Sequence, residues 1–352
     1  MPAPSATDIG NTAAGREKVL TLVSDPTIRL SAEGNCVQSA HSGPMAVDGA
    51  PPSPRTPGLL LSVWLCTRET RPVVQVIVLL RFAVGVALGA TRTSAVVSGT
   101  VIAAAVAWLS ATGFVYLLNG LCDLAEDRAN RSRRPLASGA LPVSHARRAL
   151  PVLVVVALLA AAVRGTGLVV AVAVLLALGW LYSAPTVALK RRAGWAALVL
   201  ISAGALTYTA GYLAVAASHR SRRPVELIVF GAAMSVWIGI GGIAKDLSDV
   251  RGDRVAGRRS WPIVLGDIRS RSVLTVAALC VATAFLCAAR WFAGELVVVD
   301  VPVTAGAAGI AGAAAGVHHS TRRIPYQVFM TTQYLAHLML LADPGHRSGN
   351  SG

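Results

Sequence analysis

The chain has 352 residues, 54% of them hydrophobic and 14% charged, with a mean hydropathy of +0.59. That balance excludes an ordinary soluble domain, in which charged residues make up about a quarter. The net charge of +15 is no sign of nucleic acid, because the arginines lie mainly in short connections between long apolar runs, where membrane topology collects them.

Residues 1–58 are rich in Ser, Pro, Gly, Ala and Thr and have no long apolar block or signal-peptide centre, the composition of a disordered leader. Met45, just ahead of DGAPPSPRTPG, is a second candidate start beside Met1. Nine apolar runs follow, each long enough to cross about 30 Å of hydrocarbon. They lie near residues 73–90, 96–122, 146–163, 166–184, 195–217, 225–246, 272–290, 293–315 and 324–342. None shows the period-two alternation of a transmembrane barrel. The predicted fold class is therefore all-α, a polytopic membrane protein of about nine helices over residues 59–345, with a disordered tail at 346–352. Lys and Arg concentrate after the second, fourth, sixth and eighth runs, which predicts a cytoplasmic N-terminus; the basic run His219–Arg223 falls on the other side, against this assignment. Cys36, Cys66, Cys122, Cys280 and Cys287 have no metal-binding spacing and read as small hydrophobes without disulfides.

Chemistry gathers where two of these runs end. After the second run the chain reads NGLCDLAEDRANRSRRP, and Asn119, Asp123 and Asp127 are spaced i, i+4, i+8, one helix face. After the sixth it reads KDLSDVRGDR, with Asp246, Asp249 and Asp253 at i, i+3, i+7, again one face if the helix persists that far. Carboxylates near a bilayer are costly and need a counter-charge. Mg²⁺ carrying phosphate oxygens meets that need. A third segment, LYSAPTVALKRR, ends the fourth run with Tyr182 and Lys190. Lys190 and Lys245 are two of only three lysines in the chain, and both fall in these polar segments; Lys18 is in the leader.

In this order and at these helix ends, the three segments resemble the signatures of the UbiA superfamily of intramembrane prenyltransferases, over about residues 70–342. The resemblance implies a helical bundle around a central cavity, open to membrane lipid, in which both acidic segments hold Mg²⁺ and grip an isoprenyl diphosphate. Carried over position by position, Asn119, Asp123, Asp127, Asp249 and Asp253 would be metal ligands, with Asp246 a ligand or a residue beside one. Arg134, Lys190 and Lys245 would bind the diphosphate, the two lysines also stabilising the charge on the leaving group. Tyr182 would lie near the allylic carbon.

The implied activity is transfer of the isoprenyl group to a small aromatic or quinone-precursor acceptor, in a bacterial cell membrane with the site facing the cytoplasm and with no nucleic acid or required protein partner. The alternative on the same scaffold is a membrane terpene synthase that cyclises the substrate without an acceptor. A cation transporter is a third reading, disfavoured because the acids sit near one membrane face beside arginines. Two positions depart from the family pattern: Gly120, where Asp often follows the Asn, and Gly241, where an aromatic often precedes the lysine by four residues. His318 and His319 read as part of a solvated basic loop. Trp180, Trp195, Trp237 and Trp261 read as interfacial or packing residues, and Arg81 and Gln333 as intramembrane polar groups.

Overall fold

The computed structural model describes residues 57–90, 98–215, 223–316 and 322–343, and among these every regular element is a helix. The expected leader and tail, residues 219–222 of the basic run, and His318 and His319 lie outside the described residues. A short helix α1 (Leu59–Glu69) comes first, then α2 (Pro72–Gly89), α3 (Gly99–Cys122), α4 (Leu124–Ala129), α5 (Val143–Ala162), α6 (Thr166–Ser183) and α7 (Ala193–Val215). The second half holds α8 (Pro224–Val255), α9 (Trp261–Leu265), α10 (Asp267–Phe292), α11 (Asp300–Ala315) and α12 (Ile324–Ala342).

Among the described residues, eight helical stretches are long and apolar enough to cross a membrane: α2, α3, α5, α6, α7, α8, α10, and α11 with the 3-10 turn before it. In hydrocarbon the backbone must satisfy its own hydrogen bonds, so apolar runs of this length become helices. The ninth expected run is also a helix, α12, but it is less apolar because it carries Thr332, Gln333 and His337 into the interior. Proline in the first turn of α2, α8 and α12 suits positions whose N–H has no helical partner. The Ser98 hydroxyl caps α3 by accepting the Val101 N–H at 3.3 Å.

α3 packs on α5 and α6, α7 on α2, α6 and α8, and α8 on α10 and α12; α11 joins α10 to α12, and α12 returns to α2. The bundle thus closes on itself. At the α2–α7 crossing two glycines put backbone against backbone: a Cβ on Gly85 would lie 2.2 Å from the Tyr208 carbonyl oxygen, and one on Gly211 2.1 Å from that of Phe82. Small residues permit this close approach, which replaces the missing hydrophobic drive between helices in lipid. A buried polar network binds four helices, α2, α7, α12 and, through the Gln333 amide that donates to the Met234 carbonyl at 3.4 Å, α8. Arg81 of α2 donates to Gln333 Oε1 at 2.9 and 3.2 Å. The His337 Nδ1 donates to the Gln333 carbonyl at 2.6 Å, which leaves its Nε2 to accept from the Tyr208 hydroxyl, also at 2.6 Å. Arg81 and Gln333 therefore satisfy each other, and Trp237 is fully buried beside them in the apolar core, whereas Trp180 and Trp195 point outward.

Because the spanning helices alternate in direction, the ends of α1, α3, α6 and α8 and the starts of α10 and α12 share one face of the bundle. Both acidic segments end there.

Candidate active site

The first acidic wall forms at the α3–α4 junction. α3 ends at Cys122 and Asp123 occupies the cap, its N–H bonded to the Asn119 carbonyl at 2.9 Å; the Asp127 N–H then bonds the Asp123 carbonyl at 2.7 Å. The i to i−4 rungs therefore continue through the junction and keep Asn119 and Asp123 in contact, with the Asn119 amide donating to Asp123 Oδ2 at 2.9 Å. Lys190 reaches the same pair, its ammonium 2.5 Å from Asp123 Oδ1 and 3.1 Å from Asn119 Oδ1. The Ser183 hydroxyl donates to Asn119 Oδ1 at 3.2 Å. A left-handed residue, Ala188 at φ 41°, turns the chain into the single 3-10 turn that carries Lys190 inward. Such a conformation is strained for alanine and persists where the surroundings enforce it.

The second wall is the end of α8. At 32 residues the helix is about 48 Å long at 1.5 Å per residue, well beyond the bilayer core. The helix persists through Asp253, which meets the condition under which the spacing puts Asp246, Asp249 and Asp253 on one face. Lys245 Nζ donates to Asp249 Oδ2 at 2.6 Å, and the Ser248 hydroxyl donates to Asp249 Oδ1 at 2.8 Å. Asp253 is only 2% exposed, and its Oδ2 has no hydrogen-bond partner; the Ser260 hydroxyl lies beside it, out of hydrogen-bonding geometry.

Arg258, in sequence one arginine among many, joins the two walls. Its guanidinium lies 3.1 Å from Asp123, 2.9 Å from Glu126 and 3.8 Å from Asp253. Main-chain pairing sets it there: the Arg259 N–H bonds the Arg191 carbonyl at 2.7 Å and the Ala193 N–H bonds the Arg259 carbonyl at 3.1 Å, clamping the Lys190 segment to the turn after α8. Desolvation opposes the charge on Arg258, but Asp123 and Glu126 outweigh it and raise its pKa. Desolvation likewise pushes the Asp123 carboxyl upward, yet Lys190 and Arg258 prevail and hold it below the usual carboxylate range. Glu126 is pushed up by desolvation, with Arg258 opposing. Tyr182, near the end of α6, feels the charges of Lys245, Arg258, Asp246 and Asp123, drawn from both walls.

Asp127 stands apart from Asn119 and Asp123, paired with Arg134 at 2.7 Å. The other arm of Arg134 meets Glu69 of α1, also at 2.7 Å. This explains Gly120: a Cβ there would lie 2.4 Å from Glu69 Oε1 and 2.8 Å from the Arg134 guanidinium. Gly241 is explained in the same way, since a Cβ would meet the Phe329 ring of α12 at 2.3 Å. A carboxylate and an aromatic ring from other elements occupy the space at the two departing positions.

Among the described residues no three His, Cys, Asp or Glu side chains converge as a metal site; the acids are paired with Lys190, Lys245, Arg134 and Arg258. The donors are nevertheless hard oxygens, and the partnerless Oδ2 of Asp253 and the cation shared between the walls mark a place where a hard divalent ion suits the chemistry. A cavity of about 200 Å³ opens beside Asp123, Glu126, Lys190 and Arg258. A larger one, about 650 Å³, lies between the start of α2 and α12, lined by Arg71, Tyr326, Gln327, Met330 and Tyr334 among others.

The same architecture recurs in solved structures. A UbiA homologue from Archaeoglobus fulgidus bound to GPP and Mg²⁺ superposes with a TM-score of 0.55 at 19% identity, covering 79% of this chain and all of that one. A digeranylgeranylglyceryl phosphate synthase does so with a TM-score of 0.57 at 13% identity, covering 80% and 97%. At such identities the likeness is one of fold. In sequence, a 47-residue segment is 45% identical to a diterpene cyclase of Hericium erinaceus, a match over 13% of this chain and 15% of that protein. A profile of the UbiA prenyltransferase family matches residues 78–337, and the chain, an integral membrane protein with many spanning helices, belongs to that family.

Proposed function

We propose that the chain is a Mg²⁺-dependent intramembrane prenyltransferase, moving an isoprenyl group from its diphosphate to a small aromatic or quinone-precursor acceptor. The observation that carries this reading is the meeting of two acidic walls at a shared cation, with Lys190 and Lys245 hydrogen-bonded into them. The relatives bound to GPP or DMAPP with Mg²⁺ support it. Asn119, Asp123, Asp127, Asp246, Asp249 and Asp253 would hold the metal, which when bound supplies positive charge to the diphosphate oxygens.

The residues of the chain do the rest. Lys190, Lys245 and Arg134 donate to phosphate oxygens as the allylic C–O bond breaks and its electron pair leaves with the diphosphate. Tyr182, near the end of α6, would lie beside the allylic carbon. The apolar bundle keeps water from the cation, which would otherwise end as a prenyl alcohol. The acceptor then attacks the allylic carbon and loses a proton. The cavity between α2 and α12, lined by Arg71 and two tyrosines together with apolar residues such as Val73, Val74, Met330 and Leu335, suits an acceptor with a polar head. The bundle face bearing the acids is taken to face the cytoplasm of a bacterial cell.

The segment resembling a diterpene cyclase favours a second reading, in which the cation is captured by the substrate's own alkene. One experiment tests both. Membranes holding the protein are given geranyl, farnesyl or geranylgeranyl diphosphate, with and without aromatic acceptors. Diphosphate release that depends on acceptor and yields a prenylated product is expected; cyclic hydrocarbon or terpene alcohol without acceptor selects cyclisation. Asp123→Ala or Asp249→Ala is expected to abolish release under both readings, and near-normal release by either variant refutes the metal assignment.

A further inference from the structure

We infer that Glu69 is a positioning residue of the site: it fixes the Arg134 guanidinium beside the first acidic wall, and Gly120 is the residue that makes room for it. The inference rests on the proposed role of Arg134 toward diphosphate and extends the site to α1, which precedes the spanning helices.

Glu69 is fully buried, where an isolated carboxylate is costly. Its Oε2 accepts the Leu136 N–H at 3.0 Å and its Oε1 pairs with Arg134 at 2.7 Å. The Glu69 carbonyl accepts from the same guanidinium nitrogen at 3.2 Å. Glu69 thus holds both the arginine and the loop that carries it. The other guanidinium arm meets Asp127 at 2.7 Å, so Arg134 is shared between an acid assigned to the metal and one that is not.

That sharing has a consequence. When Asp127 turns to another ligand, Glu69 keeps Arg134 neutralised and oriented. Without Glu69 the guanidinium would have Asp127 alone and would compete for it. Gly120 adds an independent constraint: a Cβ there would lie 2.4 Å from Glu69 Oε1 and 2.8 Å from the Arg134 guanidinium, so the carboxylate and the guanidinium would have to shift to admit it.

The test uses the full chain in lipid nanodiscs. Binding of inorganic diphosphate with Mg²⁺ and turnover of isoprenyl diphosphate are measured for wild type, Glu69→Gln, Arg134→Gln and the double variant, and for Gly120→Ala alone and with Glu69→Ala. Glu69→Gln is expected to weaken diphosphate binding and raise KM by roughly tenfold as the buried ion pair that orients Arg134 is lost, while kcat changes much less. That loss should vanish on the Arg134→Gln background. Gly120→Ala should reproduce it, and should add nothing once Glu69 is alanine. Equal losses on both Arg134 backgrounds, or unchanged binding with only a lowered melting temperature, would make Glu69 a scaffold and overturn the inference. Failure of wild type to turn over any isoprenyl diphosphate strikes the functional reading instead, and the binding cycle still decides the role of Glu69. A wild type that binds no diphosphate overturns both.

Discussion

Arg258 is the side chain on which the two walls depend. It is the counter-charge that Asp123, Glu126 and Asp253 share, and Asp253 is buried at 2% exposure. Breaking a buried ion pair by removing one partner costs about 3–5 kcal/mol, because the other charge is left uncompensated. Arg258→Gln is therefore expected to lower the melting temperature of the solubilised protein markedly. If the same spot is where a divalent cation is accepted, Mg²⁺ should stabilise the variant more than wild type, since an ion that binds the folded state alone raises its stability by mass action. A melting series over MgCl₂ concentration measures this. Equal Mg²⁺ responses in the two proteins would place the ion elsewhere.

At the scale of elements, the spans are legible because hydropathy depends on local composition: most observed ends lie within a few residues of the expected ones, but α8 runs on through Asp253, α10 starts five residues early at Asp267, and the eighth run opens as a 3-10 turn, Gly294–Val299, before α11. The spacing of Asp246, Asp249 and Asp253 puts them on one face only with that continuation of α8, which the apolar run, ending near residue 246, does not announce. What the sequence did not reveal is non-local. Glu69 lies 67 positions before Leu136, to which it hydrogen-bonds, and Arg258 lies 135 positions from Asp123; no periodicity links such pairs. For the same reason Gly120 and Gly241 read as losses, and only the fold brings Glu69 and Phe329 against them. The α2–α7 crossing is equally invisible along the chain and makes a direct prediction. A Cβ on Gly211 would lie 2.1 Å from the Phe82 carbonyl oxygen and 2.9 Å from the Val86 nitrogen, both backbone atoms that no rotamer change can move. Gly211→Ala should separate the helices and cost about 1–3 kcal/mol or more, as overpacking does. Gly194→Ala, in the same helix with nothing within 4 Å, should cost nothing. Thermal melting of the two variants separates crowding at the crossing from the general effect of replacing a helical glycine.

For the whole molecule, the distribution of charge decides which way the bundle sits. The face with the acidic walls also carries Arg128, Arg131, Arg133, Arg147, Arg148, Arg191 and Arg192 in its connections, whereas the described residues of the opposite face hold Arg164, Arg223 and Arg290. Those three are engaged: Arg164 donates to the Ala214 carbonyl at 2.7 Å, Arg223 pairs with Glu295, and Arg290 pairs with Asp300 at 3.1 Å. Positive charge in short loops is retained on the cytoplasmic side of a membrane, so the walls and their substrate should face the cytoplasm, where a charged diphosphate can reach them without crossing lipid. In a background with the native cysteines replaced, Arg147→Cys sits at the start of α5 on the acidic face and Thr166→Cys at the start of α6 on the other, both exposed. A membrane-impermeant maleimide added to intact cells should label the Thr166→Cys variant at once and the Arg147→Cys variant only after permeabilisation. The reverse pattern would invert the bundle and require the diphosphate to arrive from outside the cell.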